Sequence, residues 1–181
     1  MAKVTLKNVI LSYPHVWDPH TFDDGQAPKY SACLIFSKDD KKNAAAFKKA
    51  FDITLQEAKK GQMASKFKNH DTRLPLRDGD KDREDDPNYS NSYFVNANSK
   101  RKPQIVDKQV QPILDRDEIY PGCICNVSVN LYPYSRSGNT GIAVGLGNIQ
   151  KVKDGIRLDG GTTASQDFEV IEDDDDEDIF G

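Results

Sequence analysis

The residues of this chain best suited to chemistry are aromatic rings on otherwise polar strand faces, and the chemistry is non-covalent. Residues 123–134 alternate with period two. Cys125, Val127, Val129 and Leu131 form one apolar face, and Asn126, Ser128, Asn130, Tyr132 and Tyr134 form the other. A polar face that ends in two tyrosines, with Arg136 just beyond, has the makings of a base-stacking platform. Each stack is worth about 1–3 kcal/mol and is indifferent to sequence. The bland alternative is that these rings cover a second small core with their hydroxyls outward. Residues 92–100 repeat the pattern, with Tyr93, Val95 and Ala97 on one side and Phe94, Asn96, Asn98 and Lys100 on the other. Lys100-Arg101-Lys102 follows at once. Phe94 beside three positive charges would hold base and phosphate together; the competing role is a ring buried under long loops.

Two further groups suit the same purpose. Trp17 and Phe22 share a loop with His15 and His20. A loop tryptophan can stack on bases or plug the end of a barrel. Arg73 and Arg77 flank Leu74-Pro75-Leu76, so both can project to one side, toward phosphates or toward the acids that follow. Metal chemistry is poorly supported. Asp78, Asp80 and Asp82 open like a calcium loop, but that loop needs Gly sixth and Glu twelfth, and Arg83 and Tyr89 stand there. Cys123 and Cys125 have no Cys/His pair at zinc spacing. No phosphate-loop or nucleophile-elbow motif is present. No cofactor is expected.

The elements that must position these residues are mostly short strands. Strand patterns run over residues 4–11, 29–36, 92–97, 104–106, 123–134, 141–152 and 156–158. Tyr13-Pro14 is expected to end the first. Ser137-Gly138-Asn139 and Asp154-Gly155 are hairpin turns. One long helix is expected from Ser37 to Gly61, with Phe47, Phe51, Leu55 and Ala58 toward the core. The predicted fold is mainly β with one long helix: an oligonucleotide-binding (OB) barrel with extended loops, over residues 1–159. Residues 160–181 are expected to be a flexible linker and a disordered acidic tail.

Charge sharpens this picture. The 181 residues carry 25 Lys+Arg against 29 Asp+Glu, for a net −4. Nine of those acids fall in the last fifteen residues, with no Lys or Arg among them. The first 166 residues therefore hold 20 acids against 25 bases, about +5. A basic body suits a polyanion, and an acidic end mimics one. Asp173, Asp174, Asp175, Asp176, Glu177 and Asp178 are followed by Ile179 and Phe180, a pairing that a merely solubilising tail does not need. It suits a hook for a basic groove with an apolar pocket, and a competitor for the chain's own groove. At 36% hydrophobic and a mean hydropathy of −0.71, no membrane span or signal peptide is expected. Three unevenly spaced cysteines fit a reducing cytoplasm.

Several longer motifs stand in a familiar order: Leu74-Pro75-Leu76-Arg77-Asp78-Gly79-Asp80, Lys102-Pro103-Gln104-Ile105-Val106-Asp107, Tyr120-Pro121-Gly122-Cys123, residues 141–146 and Lys153-Asp154-Gly155. Through them the chain resembles the OB-fold single-stranded DNA-binding proteins of tailed phages, over about residues 3–168. The resemblance implies a barrel that coats single-stranded DNA in phage replication and recombination, in the cytoplasm of the host cell. The tail resembles the acidic tips of bacterial and phage single-stranded DNA-binding proteins, which recruit replication and recombination proteins. Those tips commonly end on the aromatic residue, whereas Gly181 follows Phe180 here. The expectation is thus a non-enzymatic, largely sequence-independent single-stranded DNA-binding protein. Double-stranded DNA is a further possible partner, and a homo-oligomer such as a dimer is expected. The rival readings are a metal-dependent nuclease using the acids of residues 78–86, and an adaptor acting through its tail alone.

Overall fold

The alternation at residues 123–134 becomes the longest ribbon of the fold. In this computed structural model, which describes residues 2–22, 25–162 and 164–172, strand β6 (Ile124–Arg136) pairs antiparallel with β7 (Asn139–Lys153). Arg136 faces Asn139 across a two-residue turn, Ser137-Gly138, and both turn residues have positive φ. That is the twist-matched hairpin geometry, and glycine at the second position supports it. Cys125, Val127, Val129 and Leu131 are buried, as the period predicts. Ile142, Val144, Leu146 and Ile149 join them from β7.

Strand β1 (Ala2–His20) is shared between two neighbours. Its first part pairs with β6 and its second with β2 (Lys29–Ser37). Tyr13-Pro14 does not end it, contrary to the sequence expectation. The register instead slips between Ser12 and His15, with Tyr13 at positive φ, so the strand bends and continues. A second slip, between Leu6 and Val9, carries Asn8 at positive φ. These bends let one strand turn a barrel corner. Strand β4 (Ser92–Ser99) pairs with β2 over its whole length, and Asn98 meets Gly145 of β7 in parallel. The ring β1–β2–β4–β7–β6 therefore closes on β1. It is a five-stranded barrel with the strand order of an OB fold.

The helix α1 (Lys41–Lys60) lies against this barrel through Phe47, Ala50, Phe51, Thr54 and Ala58. It begins four residues later than predicted. Asp40, and not Ser37, caps it by accepting from the Asn43 N–H at 3.1 Å, while Ser37 ends β2. Asn43 also exchanges two hydrogen bonds with the Lys7 backbone (3.0 and 2.8 Å), docking the helix start onto the β1 bend. Leu55 is only partly buried. Short helices α2 (Ala64–Phe67), α3 (Gly79–Asp82) and α4 (Ala164–Asp167) and short strands β3 (Arg77–Asp78) and β5 (Ile105–Val106) complete the described elements with two 3-10 turns.

Residues 156–158 are not a strand. They run against the turn at Gly122, and the Leu158 N–H donates to the Pro121 carbonyl at 2.9 Å. Gly122 is at φ +116, and a Cβ there would lie 2.1 Å from the Ile156 carbonyl oxygen, so the close approach requires glycine. Strand β2 is covered on both sides. Residues 31–36 are buried on both faces, because Cys33 and Ile35 join Tyr89 and Phe94 in a second core outside the barrel.

Candidate nucleic-acid interface

One edge of β4 is paired throughout with β2. The other changes partner, from β3 at Tyr93 and Phe94 to β7 at Asn98. At this handover the barrel surface opens into a groove of about 610 Å³. Arg73 and Arg77 stand on one wall, carried by the extended segment that leads into β3. Leu74 and Leu76 of that segment pack on the main core, which leaves both arginines exposed on the groove side. Asn96 and Asn98 line it from β4. Tyr134 and residues 142–144 line it from the β6–β7 hairpin, and Lys81 adds a further cation. Cations on one wall and an aromatic ring on the other are the two parts of a single-strand site. Arg77 is held by Asp82 at 3.1 Å, both groups being well exposed. No ion pair joins Arg73 to another described residue.

Phe94 requires a correction. Its ring is 0% exposed and cannot receive a base in this conformation. It points out of the barrel, as the period predicted, but residues 78–91 fold over it. Tyr89 packs edge-on at 5.1 Å, and the guanidinium groups of Arg83 and Arg77 lie 5.4 and 5.8 Å from its ring centre. The acids of that loop latch it in place. Lys38 reaches Asp78 and Asp80, each at 2.7 Å, and Asp80 also accepts from the Asn91 N–H. The Lys38 ammonium holds both carboxyls below the ordinary carboxylate range, and they in turn raise the lysine. Among the described residues, no group of three or more His, Cys, Asp or Glu is placed to hold a metal ion.

The remaining residues fall into three places. Trp17 is half-buried with the Lys102 ammonium 5.8 Å from its ring centre, and both line a second cavity of about 520 Å³. The Trp17 Nε1 is buried with no partner among the described residues. Nearby on β1, His15 and His20 stack at 4.3 Å, with Phe22 edge-on to both. Lys100 and Arg101 are exposed just past the end of β4, on the chain that runs from the groove to Lys102. Arg136 is exposed at the hairpin tip, and Tyr132 is half-buried opposite Ala143, which lines the groove. Asp173, Asp174, Asp175, Asp176, Glu177, Asp178, Ile179 and Phe180 lie outside the described residues. Lys81, Lys38 and Arg83 do not stand out in the sequence as a basic group. They sit within or against acid-rich stretches that mask a basic signal.

A family model described as "Enterobacter phage Enc34, ssDNA-binding protein" matches residues 2–180. The chain belongs to this family. Protein p50 of Acyrthosiphon pisum secondary endosymbiont phage 1 is 28% identical over 168 residues, 90% of each chain. The solved structure of the bacteriophage Enc34 single-stranded DNA-binding protein in complex with ssDNA superposes with a TM-score of 0.73. It is 26% identical, over 86% of this chain and 89% of that one. The single-stranded DNA-binding protein gp2.5 of bacteriophage T7 shares the fold, at a TM-score of 0.54 and 14% identity, over 89% of this chain and 97% of that one.

Two of the motifs that carried the family resemblance hold the fold together, away from the groove. The Tyr120 hydroxyl donates to Asp154 at 3.0 Å and accepts from the Gly155 N–H at 3.0 Å. Lys151, with its side chain nearly buried, bridges Glu118 and Asp154 at 2.6 and 2.7 Å. Burial alone would lower this lysine, but the two carboxylates outweigh it and raise the group. Arg157 covers the Tyr120 ring at 4.8 Å. Residues 120–123 and 153–155 are thus a clasp between the entry to β6 and the exit of β7.

Proposed function

We propose that this chain binds single-stranded DNA without sequence choice and without catalysing a reaction on it. The observation that carries this reading is the groove at the β4 handover. There Arg73, Arg77 and Tyr134 converge, in a member of a family whose Enc34 representative was solved with ssDNA bound. Arginines track the phosphates, the tyrosine receives a base, and Asn96 and Asn98 offer hydrogen bonds that any base can use. Lys100, Arg101, Lys102 and Trp17 extend the track toward the β1–β2 connection, and Arg136 extends it at the hairpin tip. These are the regions with which OB barrels hold oligonucleotides. The electrostatic part of this binding extends to duplex DNA.

Residues 1–159 form the binding domain in this reading, and residues 160–181 are a linker and tail. The tail's acids compete with DNA for the groove, and Ile179 and Phe180 engage replication or recombination partners. The setting is the cytoplasm of an infected host cell. No helix among the described residues is long and apolar enough to cross a membrane.

Titration of the protein against oligo-dT at several salt concentrations tests the reading. The logarithm of the binding constant should fall with that of salt, by about 0.7 per phosphate contact. Replacing Arg73 and Arg77 together by Gln should flatten the slope by about 1.4. A flat slope for the unaltered protein overturns the reading. Removing residues 172–181 should tighten binding at low salt, and unchanged or weaker affinity would remove the competition role of the tail.

A further inference from the structure

The outward-facing residues in the first half of β7 are Gly141, Ala143, Gly145 and Gly147, between inward-facing Ile142, Val144 and Leu146. Their small size has a local cause. A Cβ on Gly145 would lie 2.7 Å from the Asn130 side chain, and one on Gly147 would lie 2.4 Å from the Ser128 hydroxyl and 2.6 Å from the Ser128 carbonyl oxygen. Outer side chains of β6 therefore lean sideways across β7. Tyr134 does so over its direct partner, Gly141. A Cβ there would stand 2.8, 3.0 and 3.1 Å from Oη, Cζ and Cε1, the far end of the ring. An upright tyrosine would carry its hydroxyl away from the sheet. This one lies across the neighbouring strand and lines the groove opposite Arg73 and Arg77.

We propose that Gly141 is a positioning residue for DNA binding: lacking a Cβ, it lets the Tyr134 ring lie across β7 as the base platform of the groove. The inference rests on the proposed single-strand function and assigns part of the site. Gly141 differs in kind from glycines that the backbone requires. At Gly79 and Gly122 a Cβ would strike carbonyl oxygens at 2.2 and 2.1 Å, whereas at Gly141 it meets only the end of a side chain. Its φ is outside the positive range, so alanine fits the backbone. The ring must then swing up, and the groove loses its platform while the barrel keeps its fold.

Binding to oligo-dT, read by fluorescence anisotropy, tests this with Gly141→Ala, Tyr134→Phe, Tyr134→Ala and the Gly141→Ala/Tyr134→Ala pair. Tyr134→Phe keeps the ring and removes only the hydroxyl, so it should lose less affinity than Tyr134→Ala does. Tyr134→Ala should weaken binding about five- to 150-fold, the span of one lost stack. Gly141→Ala should weaken it within that range, and the pair should be no weaker than Tyr134→Ala alone. The salt slope of Gly141→Ala should equal that of the unaltered protein, since a stack releases no counterions; a general loss of fold would lower it. Normal affinity in Gly141→Ala, or a loss that adds to that of Tyr134→Ala, overturns the inference. If Gly141→Ala does not fold, Gly141→Ala/Tyr134→Phe, relieved of the closest atom, carries the same test against Tyr134→Phe. Failure of the function itself would show separately, as a flat salt slope in the unaltered protein.

Discussion

Phe94 and Tyr134 occupy comparable positions and meet opposite fates. Both point outward from a barrel strand, both stand among polar neighbours, and both have an arginine close by. Phe94 is sealed under residues 78–91, with Tyr89 at its edge and Arg77 and Arg83 at its ring. Tyr134 stays open in the groove, because its nearest cover on β7 is a glycine. A period of two says which side of the barrel a residue faces. It does not say what the rest of the chain places outside. The sealed ring still serves the open one's groove: it seats the Arg77 guanidinium on the wall facing Tyr134.

The sharpest way to break the comparison is to empty the sealed position. Phe94→Ala should cost about 3–5 kcal/mol of stability, as large-to-small core changes do. Urea denaturation measures it, and Tyr134→Ala should cost much less in the same experiment. If Phe94→Ala left stability unchanged and abolished DNA binding, the ring would be open in solution and the contrast would fail. A smaller effect is expected one step away, at Asp82. Its exposed pair with Arg77 should be worth about 0.2–1 kcal/mol, so Asp82→Asn should tighten oligo-dT binding by up to about fivefold at low salt. Asp85→Asn removes the same charge from the same loop without touching Arg77. The Asp82 effect should vanish in an Arg77→Gln background and the Asp85 effect should persist. Equal behaviour of the two would reduce Asp82 to a distant charge.

The barrel was largely legible because its strands alternate against one core. The β6 face, the Ser137-Gly138 turn and the helix face through Phe47, Phe51 and Ala58 all follow from periodicity and turn chemistry. Three things were not legible. The β1 bend at Tyr13 is a register slip, and Tyr13-Pro14 reads equally well as a stop. Strand β3 has two residues, too few to show any period, yet it sets the arginine wall of the groove. The loop of residues 78–91 reads as solvated acids, and its role as a cover depends on Lys38, forty residues away. Of the proposed site, the residue types Arg73, Arg77 and Tyr134 were visible. Their convergence depends on β4 changing partners, which no local pattern encodes.

The latch at Lys38 yields the smallest effect and the most specific sign. Asp78 and Asp80 ionise below the ordinary carboxylate range in the folded chain, because the Lys38 ammonium bonds to both. A depressed carboxylate contributes stability that is complete above its unfolded pKa, near 4, and is lost as pH falls through the lower folded value. Lys38 itself is raised, so its share is complete below its ordinary value of 10.5 and is lost only as pH rises beyond that. The latch should therefore be indifferent to pH between about 5 and 9. Below that window it should open in acid, uncovering Tyr89 and Phe94 before the barrel unfolds. Hydrogen exchange of residues 78–91 between pH 2 and 6 reads this opening. In Lys38→Ala this acid dependence should largely flatten and residues 78–91 should exchange faster already at pH 6, because the cation that depressed the two acids has gone. Exchange unchanged from that of the unaltered protein would mean that the backbone bonds of the loop hold the cover over Phe94 without the ion pairs. The seal that separates Phe94 from Tyr134 would then be a matter of loop packing alone.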